Sequence, residues 1–415
     1  MTANTPTVDD ADTGSFRGDA KVIGLIGVAH FFSHFYILLL PPLFLLLKAE
    51  FDVSFVELGL FITVFSAATG VSQIPFGYIV DKLGAKWILI GGLALEGAAF
   101  LAIGVAGEYW AILLLMAIAG IANGVYHPAD YAILSASVSE KRMGRAFSLH
   151  TFTGFAGFAV APTTIIFLEG LVGWRTGVAL CGVAGIVAAL ALVVFGRTLK
   201  HEPGSDRRKA KAAVAGKTAA EAAGGSILLN PMILMCLLFF MLLSLSSGGI
   251  NNFLVSALNA LYGTPIEAAT LGLTGYLIGS TGGILLGGVI ADRTRHHNRV
   301  AAICFLLTGI GVLIVGSFAM PVWLLVVLMT VQGLTHGIIM PSRDMIVRSV
   351  TPPGSMGKVF GFVSTGFSLG GIVAPLVFGF LLDQGEPRVV FYVIAGFMAV
   401  SLLTVFTVGG KAKNL

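Results

Sequence analysis

Eight ionisable side chains stand inside or at the edge of long apolar runs of the 415-residue chain: His30, His34, Glu96, His127, Asp130, His336, Arg343 and Asp344. An ionisable group at bilayer depth is costly, so each is a functional candidate by position alone. His30 and His34 are four residues apart and share one helical face. Imidazole titrates near pH ~6.5, which suits a proton carrier; the same pair would serve structurally as two neutral rings bonded to carbonyls or aromatics. No cysteine or carboxylate stands near them in sequence, so no metal site is expected. His127 and Asp130 are three apart, and Pro128 between them frees a backbone carbonyl. His336, Met340 and Arg343 share a face of a later run. There Arg343 would take a carboxylate or phosphonate, pair with Asp130, or pair with its neighbour Asp344. Another run carries Ser244, Ser246, Ser247, Gly248, Gly249, Asn251 and Asn252. Its glycines suit a hinge, and its amides suit hydroxyls or carboxylates; plain small-residue helix packing is the alternative. Tyr36 and the phenylalanines beside it could stack on a ligand. Glu96 reads as an inter-helix hydrogen bonder.

The elements that must carry these groups follow from composition. Hydrophobic residues make up 56% of the chain and charged residues 11%, with mean hydropathy +0.93. A soluble domain is about 25% charged. A soluble enzyme, a disordered chain and a nucleic-acid binder are therefore excluded. At roughly 20 residues per crossing, the runs give twelve spans: 22–46, 56–80, 87–106, 109–137, 146–168, 173–195, 231–258, 266–290, 300–318, 321–348, 359–382 and 388–409. Cys181, Cys236 and Cys304 fall inside these runs and read as small buried hydrophobes.

Organisation is read from charge and repetition. Residues 1–20 form an acidic tail without a cleavable-signal pattern, expected to be disordered. A basic linker, 197–230, separates a first six-helix bundle, 21–196, from a second, 231–410, and 411–415 form a final tail. Placing both termini in the cytoplasm puts 21 of the 25 basic residues inside, three outside and Arg343 within a span. Gly120-Ile-Ala-Asn-Gly124-Val-Tyr-His127-Pro128 recurs 213 residues later as Gly333-Leu-Thr-His336-Gly337-Ile-Ile-Met340-Pro341. Met143-Gly144-Arg145-Ala-Phe147 is matched at the same offset by Met356-Gly357-Lys358-Val-Phe360, and Ala161-Pro162 by Ala374-Pro375. The two halves are copies of one unit, and Asp130 corresponds to Arg343.

Gly77-Tyr-Ile-Val-Asp81-Lys82-Leu-Gly84-Ala-Lys86 resembles the signature loop of the major facilitator superfamily. Gly288-Val-Ile-Ala-Asp292-Arg293 repeats it in the second half, with Arg295 and His297 where a glycine and a base would stand. Ser33-His34 and Tyr126-His127-Pro128 resemble the fosmidomycin-resistance type of exporter within that superfamily. The resemblance implies an all-α fold of twelve transmembrane helices in two pseudo-symmetric bundles, with spans one, four, seven and ten lining a cavity. It implies a secondary active transporter rather than an enzyme: an inner-membrane protein, functional as a monomer, without cofactor or nucleic-acid partner. The solute would be small, polar and anionic, and protons would be the coupling ion; a proton-driven efflux pump for a drug-like or phosphonate compound is the alternative. The expected substrate contacts are His30, His34, Tyr36, His127, Asn251, Asn252, His336 and Arg343. Expected proton carriers are His30, His34, His127 and Asp130. Gating falls to Gly77, Asp81, Lys82, Gly84, Asp292, Arg293 and Asp344, since a loop aspartate can latch to bases and a helix end in one state.

Overall fold

The computed structural model describes residues 16–199, 228–294, 296–351 and 356–411. Most of the expected tail and linker, and residues 412–415, lie outside these. Among the described residues there is no strand, and twelve helices or helix pairs are long and apolar enough to cross a membrane. That is the form a chain takes where no water can satisfy backbone polar groups. The first span, Phe16–Phe51, is α1 (Phe16–Ile37) and α2 (Phe44–Phe51), parted where Pro41 and Pro42 withhold two N–H donors. Helix α1 begins at Phe16, so residues 16–20 are helical rather than part of a disordered tail.

There follow α3 (Phe55–Leu83), α4 (Ala85–Ile103), α5 (Tyr109–Asn123), α6 (Tyr126–Ser137), α7 (Met143–Val172) and α8 (Trp174–Phe195). The second half holds α9 (Pro231–Tyr262), α10 (Ile266–Arg293), α11 (His297–Ser317), α12 (Val322–Val350), α13 (Met356–Asp383) and α14 (Pro387–Lys411). Span four is thus two helices, α5 and α6, whereas its copy α12 runs unbroken through Pro341. The turn from α3 to α4 passes through Gly84 at φ +89°, a conformation that side chains rarely adopt.

Contacts gather the chain into two compact units that do not follow the repeat boundary. One comprises Met1–Ile37, Ala67–Phe158 and Leu168–Gly216; the other comprises Leu38–Ser66, Ala159–Phe167 and Lys217–Leu415. In the first unit, α4 and α8 meet backbone to backbone at Gly97 and Gly182. In the second, α10 and α12 are in contact along a seam of glycines. A Cβ on Gly333 would lie 1.8 Å from the Tyr276 carbonyl oxygen, and one on Gly279 would lie 2.1 Å from that of Thr330. Close approach through small residues is how helices pack where lipid removes the hydrophobic drive between them. The three cysteines are buried and unbonded. Large apolar side chains such as Leu114, Leu190, Ile303 and Leu403 face outward, as lipid contact requires. Trp110 and Trp323, at the starts of α5 and α12, are exposed in the manner of membrane-interface anchors.

Candidate functional site

In the first unit, one carboxylate is ringed by imidazoles. Asp130 on α6 is fully buried, and its Oδ2 lies 3.0 Å from Nε2 of His150 on α7 and 3.4 Å from Nδ1 of His30 on α1. The rings of His30 and His150 stack at 3.5 Å, while His34 and His127 stand edge-on to His30 at 4.5 and 5.4 Å. Three helices build this arrangement. Gly154 on α7 leaves the space: a Cβ there would sit 2.8 Å from Nε2 of His30 and 3.1 Å from Cε1 of His34. The Ser33 hydroxyl lies 3.0 Å from Nδ1 of His34 and donates to the His30 carbonyl. Nδ1 of His30, Nδ1 of His127 and Oδ1 of Asp130 are buried with no hydrogen-bond partner among the described residues. A buried polar group left unpaired is expensive, so the cluster has capacity to take up a proton or a ligand donor.

The donor atoms of His30, Asp130 and His150 all lie within 4.8 Å of one another, the proximity a metal ion needs. The two imidazole planes, however, are 20° from parallel. Their in-plane lone pairs run alongside each other and do not meet at a point about 2.0–2.1 Å from both nitrogens, the length of a metal–imidazole bond. Of the cluster's members, His150 is absent from the sequence expectations. It lies only two turns inside α7, where the run of apolar residues begins, and nothing in the sequence ties it to Asp130, twenty positions earlier.

Span four is interrupted just before this cluster, between Asn123 and Tyr126. Val125 closes a tight turn to the Ala122 carbonyl, and Pro128 has no N–H to offer the Gly124 carbonyl. The Glu96 carboxylate on α4, fully buried, accepts from Asn123 Nδ2 at 3.0 Å and from the Tyr126 hydroxyl at 2.6 Å. Tyr36, expected at the ligand, is instead packed away. Its ring stacks on Phe100 at 4.4 Å and its hydroxyl donates to the Cys181 carbonyl.

In the second unit, His336 on α12 is buried and fixed at both ring nitrogens, 3.1 Å from Ser247 on α9 and 3.1 Å from Ser280 on α10. One turn beyond Ser247, Asn251 has a buried, unpartnered Oδ1, as does Asn252. Arg343 does not stand alone in its span. Its guanidinium lies over Phe240 at 4.4 Å and Phe367 at 5.0 Å, donates from Nε to Asp344 Oδ1 at 2.8 Å, and reaches Met340 Sδ. Of the alternatives left open by the sequence, pairing with Asp344 is the one observed. Asp130 finds its partners in His150 and His30. At corresponding positions of the repeat, an acid is enclosed by rings from the first and fifth spans of its half, and a base by rings from the first and fifth spans of the other.

The signature-loop residues border a cleft of ≈ 590 Å³ in the first unit, lined by Gln73, Gly77, Tyr78, Asp81, Pro128 and Tyr131 among others. Lys82, Asp292 and Arg293 are exposed.

A family model described as Major Facilitator Superfamily matches residues 26–248 and 239–413. The chain is 24% identical over 410 residues to a fosmidomycin resistance protein of Escherichia coli (strain K12), covering 97% of each. It is 23% identical over 364 residues to a probable sulfoacetate transporter of Cupriavidus necator, covering 82% of this chain and 81% of the relative. Among solved structures, a bacterial homolog of the human lysosomal transporter Spinster, inward-facing and unoccupied, superposes with TM-score 0.79 at 14% identity, over 97% of this chain and 99% of that one. The nucleoside transporter NupG gives TM-score 0.72 at 18% identity, over 95% and 99%.

Proposed function

The chain belongs to the Major Facilitator Superfamily, and from that premise we propose that it is a proton-coupled secondary active transporter for a small polar, anionic organic solute. It works by alternating access in the inner membrane, both termini cytoplasmic, as a monomer and without a cofactor. The observation that carries this reading is the buried carboxylate Asp130, 3.0 Å from His150 and 3.4 Å from His30, with the His30 ring in turn against those of His34, His127 and His150. The cluster draws its members from three different helices, α1, α6 and α7, so a proton held there is linked to the helix arrangement. Within this reading His30, His34, His127 and Asp130 carry the proton, with His150 added to them. Arg343 provides the anion anchor, with Asn251, Asn252 and His336 offering neutral hydrogen bonds, and the Asp81 and Asp292 loops form the gate. Sulfoacetate, named for one relative, has the charge and size such an anchor fits.

The test is uptake of radiolabelled sulfoacetate and related short sulfonates and carboxylates into proteoliposomes, with and without an imposed pH gradient. Gradient-driven accumulation supports the reading; equal rates in the two conditions remove proton coupling. The whole-length similarity to a fosmidomycin resistance protein favours a second reading, efflux of a drug-like or phosphonate compound. Expression in a sensitised host with a panel of such compounds separates the two, because an importer leaves every inhibitory concentration unchanged or lowers it.

A further inference from the structure

We infer that Glu96 is a positioning residue that clamps the interruption in span four and thereby holds His127 and Asp130 in place. The inference rests on the cluster being the working site, but its geometry stands independently.

The two side chains that reach Glu96 flank the interruption. Asn123 is the last residue of α5 and Tyr126 the first of α6, and each donates to a different oxygen of the same carboxylate, at 3.0 and 2.6 Å. One rigid group on α4 therefore fixes the end of one helix segment to the start of the next. Asn123 Nδ2 also donates to the Ser33 carbonyl at 2.9 Å, which ties the clamp to the α1 helix carrying His30 and His34. The opposite side of the interruption is held by α3, where the Thr69 hydroxyl donates to the Gly120 carbonyl at 3.0 Å and the Ser72 hydroxyl reaches the Ile121 carbonyl at 3.3 Å. On α4, one turn before Glu96, Gly92 makes room for the turn itself; a Cβ there would lie 2.2 Å from Val125 Cγ2. A short tight turn inside a long helix, supported from outside itself, is the usual form of a functional hinge.

The repeat supplies a comparison. At the 213-residue offset, α12 has His336 in place of Asn123 and Ile339 in place of Tyr126, while keeping Gly337 and Pro341. His336 turns to Ser247 and Ser280, Ile339 has no polar group to give, and the copy remains one helix. Proline is common to both copies, so proline alone does not make the interruption. The clamp and its two donors occur in the copy that is interrupted. His127 and Asp130 are the second and fifth residues of α6, so any rotation of α6 about the turn moves both against His150.

The experiment is hydrogen–deuterium exchange on the purified, substrate-free protein in detergent, comparing wild type with Glu96→Ala, Glu96→Gln and Tyr126→Phe. Glu96→Ala should speed exchange in peptides covering Tyr126–Ser137 about five- to tenfold, the factor expected from losing the net effect of about one hydrogen bond. Tyr126→Phe should do so less. Glu96→Gln, which keeps one accepting oxygen and puts a donor in place of the other, retains one of the two clamping bonds and should fall between wild type and Glu96→Ala. Peptides of α10 and α12 should be unaffected throughout. Unchanged exchange in Glu96→Ala, or acceleration spread over all helices, would each overturn the inference. Should Glu96→Ala fail to fold, Tyr126→Phe and Asn123→Ala carry the same comparison. Because no solute is involved, failure of the transport reading leaves this result interpretable, and the reverse holds too.

Discussion

Asp130 and His150, twenty residues apart and on different helices, share a hydrogen bond of 3.0 Å between Oδ2 and Nε2 in a setting where both side chains are buried. Separating the two without a new partner for either would leave buried polar atoms unpaired, which is costly. On the proposed reading this bond is where movement of α7 on α6 meets the proton.

Asp130→Asn should abolish gradient-driven accumulation, by about tenfold or more, while leaving solute exchange at equal pH on both sides largely intact. His150→Asn, which keeps a donor but cannot take the charge, should fall between the two. Counterflow and gradient-driven uptake measured side by side in proteoliposomes provide the check. Undiminished accumulation in Asp130→Asn would remove the carboxylate from coupling.

Arg343 offers a second prediction. Its charge is balanced by Asp344 and its guanidinium lies against the neighbouring rings of Phe240 and Phe367, so its fork is aimed and not free to swing. Lysine at this position would preserve charge but lose both planar stacking and bidentate geometry. Arg343→Lys should weaken solute affinity about tenfold and Arg343→Ala further, with Phe240→Leu intermediate. Binding isotherms on purified protein decide it, and an Arg343→Ala variant with unchanged affinity sinks the anchor.

How much of this could be read from the chain alone differs by kind of feature. The twelve spans are legible because bilayer crossing imposes one length and one composition on each, and the 213-residue repeat is legible because both copies keep Gly-x-x-x-Gly and proline. His30 and His34, or His127 and Asp130, are found by helical spacing, a local property. His150 is not, because its link to Asp130 is made by packing of α7 on α6, and no periodicity reports that. Tyr36 shows the opposite error. An aromatic beside two histidines reads as a ligand contact, but which face of α1 meets α8 is decided by Gly185, where a Cβ would lie 2.0 Å from the Tyr36 hydroxyl. The interruption in span four is half legible: Pro128 is visible, while the Glu96 clamp that distinguishes this copy from its unbroken twin is a contact between helices.

The glycine seam between α10 and α12 yields a prediction about folding. Gly279, Gly283, Gly333 and Gly337 each bring a backbone carbonyl of the facing helix within 1.8–2.2 Å of where a Cβ would stand. Nothing flexible can give way there, since the obstacle is main chain. Gly333→Val should force the helices apart at a cost above the ~1–3 kcal/mol typical of overpacking, seen as a large fall in melting temperature or as loss of folded protein on expression. Gly288, with open space around its Cβ, is the control, and Gly288→Ala should melt like wild type. A Gly333→Val variant as stable as that control would refute the seam.

The start of α3 shows how a helix end can be completed from elsewhere in the chain. Ser54 and Glu57 form a capping box: the Ser54 hydroxyl accepts from the Glu57 N–H at 3.1 Å and the Glu57 carboxylate accepts from the Ser54 N–H at 2.7 Å. That leaves the N–H groups of Phe55 and Val56, and both are taken by Asp383 at the end of α13, at 2.7 and 2.9 Å. Lys48 stands 3.8 Å from the same carboxylate. A negative charge on a helix N-terminus is favourable, and loss of a capping side chain costs about 0.5–2 kcal/mol. Asp383→Ala should therefore speed amide exchange at the first turn of α3 by about three- to thirtyfold, and Asp383→Asn by less because one acceptor remains. The effect should add to that of Glu57→Gln, since the two carboxylates serve different N–H groups. Exchange at Phe55 and Val56 that ignores Asp383→Ala would show that this contact is dispensable. Non-additivity with Glu57→Gln would show that the two caps act as one.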